Sequence, residues 1–223
     1  MQWASVKIAI LSNFEEMAYL MLLRRIVTSI NNERSVKWTY MYDLIFKVVI
    51  FGDAGSGKTS LRKRFMTNEF TSDSHKTIGV DYETKVLEMG GKEIKLLIGD
   101  LAGEERFRFM FPQYIYGAMG GILLYDITDN ASFSHINDWL SVINGTNERF
   151  PIVLVGGKSD LYKFREISWI NGAKAARSLG LYGFVECSSK TGENVKEVFL
   201  GLSKLMATRM LFNKPKIQSI RVK

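Results

Sequence analysis

The chain has little of what several classes of protein depend on. It contains one cysteine and two histidines among 223 residues, which excludes an internal disulfide framework and gives a transition-metal site little support. His75 and His135 have no ligand-like spacing to each other or to the cysteine. Cys187 ends an apolar run, where a small buried residue is a better explanation than a nucleophile. The composition therefore indicates a reducing compartment.

Long apolar runs are also missing. A membrane-spanning helix needs about 20 apolar residues, whereas the run from Met17 to Leu23 stops at Arg24. Glu15 and Glu16, just before that run, are unlike a secretory signal. We therefore expect a cytoplasmic protein whose contact with membranes is at most weak and peripheral.

Positive charge is present but dispersed. The net charge is +7, and the basic residues are scattered except in the last stretch, which has no acids and contains Lys214, Lys216, Arg221 and Lys223. Such a distribution is typical of a solvated surface, so nucleic acid is not the expected partner. With 46% hydrophobic residues, the chain is long enough for one α/β domain with additional segments.

Apolar runs and helical patterns alternate along the chain, which predicts an α/β fold. Gly90-Gly91 is a hairpin signal between two strand runs and predicts one antiparallel edge strand in a mostly parallel, six-stranded sheet with helices on both faces. The predicted strands are Leu44 to Phe51, Val80 to Met89, Glu93 to Ile98, Gly121 to Ile127, Ile152 to Val155 and Gly183 to Cys187. The helical patterns are Lys58 to Met66, Ser132 to Ile143, Ile170 to Leu179 and Val195 to Leu211.

A complete phosphate-binding loop follows the first strand run. Residues 52–59 read Gly-Asp-Ala-Gly-Ser-Gly-Lys-Thr, and they stand between a strand and a helix, the context in which such a loop binds a nucleoside triphosphate. Its glycines let backbone N–H groups curl around a phosphate, Lys58 supplies a positive charge and Thr59 a hydroxyl for Mg²⁺. The alternative is a glycine-rich turn that fits the pattern by accident.

The residues after the later strand runs add further chemistry, because ligands of open α/β sheets bind at the carboxyl ends of strands. Asp100 is placed to hold Mg²⁺ through water, unless it is a helix N-cap, and Gly103 can offer its N–H to a terminal phosphate. The carboxylate of Asp160 can accept two donors from guanine that adenine lacks. A loop cap is the alternative for Asp160, and Ser188 to Lys190 behind it favour guanine.

These residues carry a resemblance to the Rab-like branch of the Ras-superfamily small GTPases. The supporting segments are Thr77 to Tyr82, Glu105 to Arg108, Tyr114 to Gly120 and Leu124 to Thr128. The resemblance covers residues 44–212 and implies a P-loop NTPase fold, the Ras-like G domain, that binds GTP or GDP with Mg²⁺.

The resemblance also assigns roles that the spacing alone does not. It implies that Thr77 reaches Mg²⁺ and the γ-phosphate, that Phe70 and Lys158 pack on the guanine, and that the Ser189 N–H faces the guanine oxygen. For Thr77 alone, an ordinary exposed loop residue would be the simpler interpretation. Together the patterns predict a nucleotide site of Asp53, Ala54, Gly55, Ser56, Gly57, Lys58, Thr59, Ser60, Phe70, Thr77, Gly103, Lys158, Asp160, Ser188, Ser189 and Lys190, with Mg²⁺ held by Thr59, Thr77 and Asp100 and catalysis assigned to Glu104, Thr77 and Lys58.

Two departures from the family pattern concern the nucleotide. Glu104 stands where the family usually has a glutamine that orients the attacking water. An ionised carboxylate cannot donate a hydrogen bond and repels the γ-phosphate, so we expect slower hydrolysis. The carboxylate can still accept a hydrogen bond or proton from water, so unchanged or faster hydrolysis is the alternative. Gly157 replaces an asparagine that bonds the base, and the lost hydrogen bonds are worth about 1–3 kcal/mol of binding.

The expected partner surface comprises residues 72–83 and 99–116, where effectors, exchange factors and activating proteins would bind. Gly99 replaces the usual tryptophan of an aromatic patch with Tyr82 and Tyr114, so these tyrosines are either an altered effector site or simple packing. Ala54 leaves room for an arginine supplied by a partner, and no such arginine is evident in the chain itself.

Both ends lie outside the resemblance. Residues 1–43 contain a capping-box pattern at Ser12 to Glu15, which predicts an amphipathic helix that packs on the domain or binds a membrane, unless the segment is a mis-assigned start. Residues 213–223 form a short basic tail without a prenylation cysteine, so prenylation is not expected.

The expected function is a GTP/GDP switch with slow Mg²⁺-dependent hydrolysis, regulating membrane trafficking or a related process. A GTP-binding module that does not hydrolyse is the first alternative, suggested by Glu104 and Gly157. A P-loop ATPase or kinase is a second, which Asp160 disfavours. A membrane-bending role would require the N-terminal segment to bind vesicles without nucleotide.

Overall fold

The computed structural model describes residues 43–71 and 77–212. The predictions for the N-terminal extension, for the basic tail, for His75 and for part of the first partner segment fall outside these residues. Everything below concerns the described part of the chain.

The strands follow the predicted runs closely. They are β1 Leu44–Phe51, β2 Val80–Met89, β3 Lys92–Leu101, β4 Gly120–Asp126, β5 Ile152–Gly157 and β6 Gly183–Glu186. Relative to the predicted runs, β3 and β5 extend two or three residues further at their ends, and β4 and β6 end one residue earlier. The α-helices of the described residues are α1 Lys58–Thr67, α2 Phe111–Ile115, α3 Asn130–Ser134, α4 Ile136–Asn144, α5 Trp169–Ser178 and α6 Val195–Phe212. Two 3₁₀ helices span Glu105–Met110 and Ser159–Phe164.

The described strands form one six-stranded sheet in the order β2-β3-β1-β4-β5-β6. Every neighbouring pair is parallel except β2 and β3, which are antiparallel. Gly90 and Gly91 join this pair with φ values of 63° and 72°, the left-handed conformation that a tight hairpin turn requires. The predicted fold class and its antiparallel edge strand are confirmed.

Helices cover both faces of the sheet. On one face, apolar residues of β1, β3 and β4 pack against Leu61 and Phe65 of α1 and against the buried side of α6. On the other face, Phe51 and its neighbours pack against Phe111 of α2, Trp139 of α4 and Ala176 of α5. All residues of β4 and β5 are buried, as their continuous apolar sequences predict.

The helices between strands differ from the sequence pattern in detail. The predicted helix Ser132 to Ile143 is two helices, α3 and α4, which meet at His135 with ψ near 0°. The short helix α2 and both 3₁₀ helices were not predicted, because segments of one or two turns are too short to show a helical period. Both 3₁₀ helices come just after a strand, at the carboxyl edge of the sheet where the loops of the site lie.

Candidate functional site

The phosphate-binding loop has the geometry its sequence predicts. Gly55 and Gly57 adopt positive φ values of 80° and 98°, and α1 begins directly afterwards at Lys58. The Ser56 hydroxyl donates to the Asp53 carbonyl oxygen over 2.8 Å, which closes the loop on itself. Backbone N–H groups at the start of a helix provide a site for anions.

Lys58 lies at the bottom of this loop. Its side chain is nearly fully buried, and its Nζ donates to the Asp53 carbonyl oxygen over 2.7 Å. Burial lowers the pKa of Lys58 to about 8, while the charges of Asp100 and Asp53 act in the opposite direction. A bound phosphate would supply the negative charge that such a buried ammonium needs.

Three oxygen atoms suited to Mg²⁺ meet behind the loop. Thr59 Oγ1 donates to Asp100 Oδ2 over 2.6 Å and lies 3.1 Å from Thr77 Oγ1. Asp100 is fully buried within β3, and its Oδ1 has no hydrogen-bond partner among the described residues. Mg²⁺ takes oxygen ligands, commonly one or two carboxylates with waters and substrate phosphates. The donor set therefore fits Mg²⁺, and the alternative of Asp100 as a helix cap is wrong.

The segment after β3 reaches back over the phosphate loop. The Ala54 N–H donates to the Gly103 carbonyl oxygen over 3.1 Å. A Cβ on Gly103 would lie 2.3 Å from Lys58 Nζ and 2.5 Å from the Ala54 nitrogen, so only glycine permits this approach. Glu104 follows in an extended conformation and lines the cleft beside the loop. Both residues thus lie in the cleft beside the phosphate loop.

The loops predicted to bind the base are held by contacts between residues far apart in the sequence. Ser188, which is fully buried, donates its hydroxyl to Asp160 Oδ1 over 2.6 Å. Arg64 of α1 donates through Nε to the Ser189 carbonyl oxygen over 2.6 Å and also to the Lys190 carbonyl oxygen. Asp160 is therefore fixed by a side chain, and the last loop is tied to the helix that follows the phosphate loop.

Lys158 and Gly157 lie between these loops. Lys158 has a positive φ of 62°, and its Nζ lies 2.6 Å from Asp126 Oδ2. The other oxygen of Asp126 accepts from the N–H and hydroxyl of Thr128, both over 2.8 Å. A Cβ on Gly157 would lie 3.1 Å from the Ser56 carbonyl oxygen, which places this glycine against the phosphate loop.

The loops enclose a single cleft of about 660 Å³, a size typical of small-molecule sites. Phe70, which is 40% exposed, stands at its edge. Most predicted site residues line this cleft, namely Ala54, Gly55, Ser56, Gly57, Lys58, Thr59, Ser60, Phe70, Thr77, Gly103, Glu104, Lys158, Asp160, Ser189 and Lys190. The predicted residues Asp53, Asp100 and Ser188 do not line it but contact residues that do.

The side chain of Asp53 points away from the cleft. It accepts from Trp139 Nε1 over 2.7 Å and contacts His135 Nδ1 over 2.6 Å. The hydrogen bond and charge of Asp53 raise the pKa of His135. Arg108, from the first 3₁₀ helix, lies over the Trp139 ring and 3.7 Å from Asp53. Asp53 does not line the cleft, although its carbonyl oxygen accepts from Lys58 Nζ, which does. The three side-chain partners of Asp53 were not found from the sequence.

The predicted aromatic patch is rearranged around Gly99. Tyr82 is the direct β2 partner of Gly99, and a Cβ on Gly99 would lie 2.7 Å from the Tyr82 ring. The Tyr82 hydroxyl donates to the Tyr114 carbonyl oxygen over 3.4 Å. Tyr82 thus covers the space over Gly99 while 38% of its surface stays exposed.

Other kinds of site find no support in the described residues. Burial raises the pKa of Cys187 to about 12, so its thiol stays protonated and is not a nucleophile at neutral pH. The residues that the structure describes contain no cluster of three or more His, Cys, Asp or Glu side chains able to hold a metal. None of their helices combines the length and apolar character needed to cross a bilayer.

Comparison with known proteins gives a consistent result. The sequence model of the Ras family matches residues 47–208. The chain is 38% identical to Ras-related protein SEC4 of Saccharomyces cerevisiae over 193 residues, which cover 86% of each sequence. It is 44% identical to Ras-related protein RABA6b of Arabidopsis thaliana over 161 residues, 72% of this chain and 70% of that protein. It is 41% identical to GTP-binding protein ypt2 of Schizosaccharomyces pombe over 167 residues, 74% of this chain and 83% of that protein.

Proposed function

The chain belongs to the Ras family, in its Rab-like branch, and we propose that it is a guanine-nucleotide switch that binds Mg²⁺ with GTP or GDP and hydrolyses GTP slowly. The switch would regulate membrane trafficking or a related process in the cytoplasm, with any membrane contact peripheral. Membership of the family supports a small GTPase in general, while the rate and the residues belong to this proposal.

The convergence of four loops on one cleft carries this proposal. Lys58 and the phosphate loop line this cleft together with Asp160 from the loop after β5, and Thr59 meets Thr77 and Asp100 beside Lys58. A guanine nucleotide needs the same groups: a cation and N–H donors for its phosphates, oxygen ligands for their metal and a carboxylate acceptor for its base. The cleft therefore offers each part of a guanine nucleotide a chemically matched surface.

The residues act by binding and positioning. Lys58 and the loop N–H groups would bind the phosphates, and Thr59, Thr77 and Asp100 would hold Mg²⁺, which supplies positive charge to the phosphoryl oxygens. The Gly103 backbone would sense the terminal phosphate. Loss of that phosphate would release the segments of Thr77 and Gly103, a local change of order that partner proteins can read.

Glu104 is the reason to expect slow hydrolysis. The residue at this position orients the attacking water, and an ionised carboxylate accepts hydrogen bonds but donates none. Its charge also repels the γ-phosphate. The same observation favours a second candidate function, a GTP-binding module that does not turn over, and phosphate release distinguishes the two.

The partner surface is proposed to comprise residues 72–83 and 99–116. Ile78 and Phe109 are 79% and 77% exposed, and Tyr82 lies between them along the chain. Large exposed apolar side chains near a switch are suited to effector, exchange-factor and activating proteins. Ala54 leaves room for an arginine brought by such a partner.

Base selectivity tests the proposal directly. Guanine presents two donors to the Asp160 carboxylate, whereas xanthine presents one donor and one acceptor. We expect the wild-type chain to bind labelled GDP, and we expect excess GTP but not ATP to displace that GDP. Asp160→Asn should shift the preference from guanine to xanthine nucleotides. Asp129→Asn, on a residue away from the cleft that caps α3, is the matched control. Equal competition by ATP would refute a guanine switch.

A further inference from the structure

Arg62 is a buried cation close to the proposed metal site. It lies on α1, and only 3% of its side chain is exposed. Its Nη2 lies 2.6 Å from Asp81 Oδ2 and its Nη1 2.6 Å from Glu83 Oε2. A guanidinium stays protonated when buried, so the charge at this position is permanent.

The same side chain faces Asp100. Thr59 and Arg62 are three residues apart on α1 and so share one face of the helix. Thr59 Oγ1 donates to Asp100 Oδ2, and Arg62 Nε lies 3.7 Å from that oxygen without a hydrogen-bond partner of its own among the described residues. The carboxylate that would serve Mg²⁺ therefore already has a fixed cation beside it.

The other two acids lie on the edge strand of the sheet. Asp81 and Glu83 are two residues apart on β2, so both side chains point to the face covered by α1, where they contact Arg62. Their side chains are 57% and 42% exposed. They offset part of the Arg62 charge while remaining open to solvent. The charge felt at Asp100 thus depends on residues of the proposed partner surface.

We propose that Arg62 is a positioning residue that competes with Mg²⁺ for the Asp100 carboxylate, and that Asp81 and Glu83 set the strength of this competition. This inference rests on the proposed function, because it concerns Mg²⁺ bound with a nucleotide. Its consequence is a weaker metal site whose occupancy responds to charge at the edge strand. Two positive charges at short range repel each other most where water is excluded, as at a buried guanidinium.

The dissociation rate of fluorescent GDP, measured against free Mg²⁺ in a chelator buffer, tests this inference. The Mg²⁺ concentration at the midpoint of this curve reports the affinity for the metal. The rate at saturating Mg²⁺ reports the retention of the nucleotide separately. Arg62→Met keeps the volume and removes the charge, and we expect its midpoint to fall to a lower Mg²⁺ concentration by about three- to tenfold. Arg62→Lys keeps the charge and should stay within about twofold of the wild type.

A second variant shifts the charge in the opposite direction. Asp81→Asn with Glu83→Gln leaves Arg62 without its acidic partners and should raise the midpoint by about threefold. Both acids are partly exposed, so this variant should fold, and a midpoint that stays at the wild-type value would contradict the inference. A purely structural Arg62 would lower the melting temperature and leave the Arg62→Met midpoint at the wild-type value.

If the variants and the wild type have the same Mg²⁺ midpoint, or if Arg62→Met raises that midpoint, the inference is wrong while the proposed function still stands. Failure of the wild-type chain to bind GDP would refute the proposed function and the inference together. Opposite shifts in the two variants would support the inference.

Discussion

At residue 157, the absence of a side chain affects how the site would hold a nucleotide. Gly157 stands at the end of β5, where a Cβ would be 3.1 Å from the Ser56 carbonyl oxygen and 3.3 Å from Leu124 Cδ1. These contacts are tight but can be relieved by small shifts, because φ at this glycine is not positive. The missing asparagine amide would otherwise join the base loop to the phosphate loop, so nucleotide retention depends on the remaining contacts.

Restoring the amide should strengthen nucleotide binding. Gly157→Asn adds the hydrogen bonds and a Cβ, and Gly157→Ala adds the Cβ alone. Because a pair of net hydrogen bonds contributes about 1–3 kcal/mol, the asparagine variant should bind GDP about ten- to a hundredfold more tightly than the alanine variant. Association and dissociation rates of fluorescent GDP give both affinities. Equal affinities would show that the position does not bond the nucleotide.

His135 should make a small pH-dependent contribution to stability. Its hydrogen bond to Asp53 raises the pKa of the folded imidazole above the unfolded value near 6.5. The folded state then binds more protons, so the stabilisation is complete below about pH 6.5 and is lost as pH rises through the folded pKa. The side chain is 43% exposed, so solvent screening keeps this stabilisation below about 1 kcal/mol.

Melting temperatures of the wild type and of His135→Gln, measured from pH 5.5 to 8.5, test this contribution. The difference between them should be largest at the acidic end and shrink toward pH 8.5. In an Asp53→Asn background the same substitution should show no such trend. A difference that grows with pH would be inconsistent with the Asp53 hydrogen bond.

Residue types and their spacing identify those parts of the site that are formed by a continuous stretch of sequence. Lys58 and Thr59 belong to one continuous loop, and Asp100 directly follows a strand run, so local sequence sufficed to find them. The partners of Asp53 did not show in the sequence, because His135 and Trp139 are 82 and 86 positions away and come into contact only when α4 packs on β1. Long-range side-chain contacts of this kind have no periodic signature.

At the scale of elements, the pairing of β2 with β3 shapes the proposed partner surface. Register places Tyr82 opposite Gly99, and the tyrosine ring fills the space over the glycine. Cross-strand neighbours of this kind are the units that stabilise a sheet. The aromatic surface is therefore built by one strand over its neighbour, instead of by a tryptophan on β3.

A small side chain at Gly99 should destabilise this pair. Gly99→Ala places a Cβ 2.7 Å from the Tyr82 ring, and such crowding costs about 1–3 kcal/mol. Removing the ring with Tyr82→Ala should relieve the clash, so the double variant should lose less than the sum of the two single losses. Urea denaturation gives all three free energies of unfolding. Additive losses would show that the ring does not occupy this space.

Element types were predictable where the segments are long. All six described strands and the helices α1, α5 and α6 follow the hydrophobic pattern. The break between α3 and α4 was not predicted, because the apolar positions Phe133, Ile136 and Trp139 keep a helical spacing across it. At the break, the His135 N–H donates to the Ala131 carbonyl oxygen and ends α3, a local contact that leaves no trace in the apolar pattern.

At the scale of the whole molecule, the residues that form the core and those that line the cleft lie in different parts of the fold. Two apolar layers hold the helices on either face, while the loops at the carboxyl edge carry the polar residues of the cleft. The segment of Thr77 contacts Thr59 Oγ1, the segment of Gly103 accepts from the Ala54 N–H, and the Ala102 N–H donates to the Gly79 carbonyl oxygen between the two segments. Such segments can change order without disturbing the core.

Single-turnover hydrolysis of Mg²⁺-GTP by the purified chain, with nucleotide binding recorded in the same samples, is the most direct test of a slow guanine switch. We expect tight guanine binding and slow phosphate release, faster release with Glu104→Gln, and loss of both binding and release with Lys58→Ala. Tight binding without release in the wild type, restored by Glu104→Gln, would instead support the non-hydrolysing module. Absence of guanine binding, or phosphate release that survives Lys58→Ala, would contradict the proposed switch.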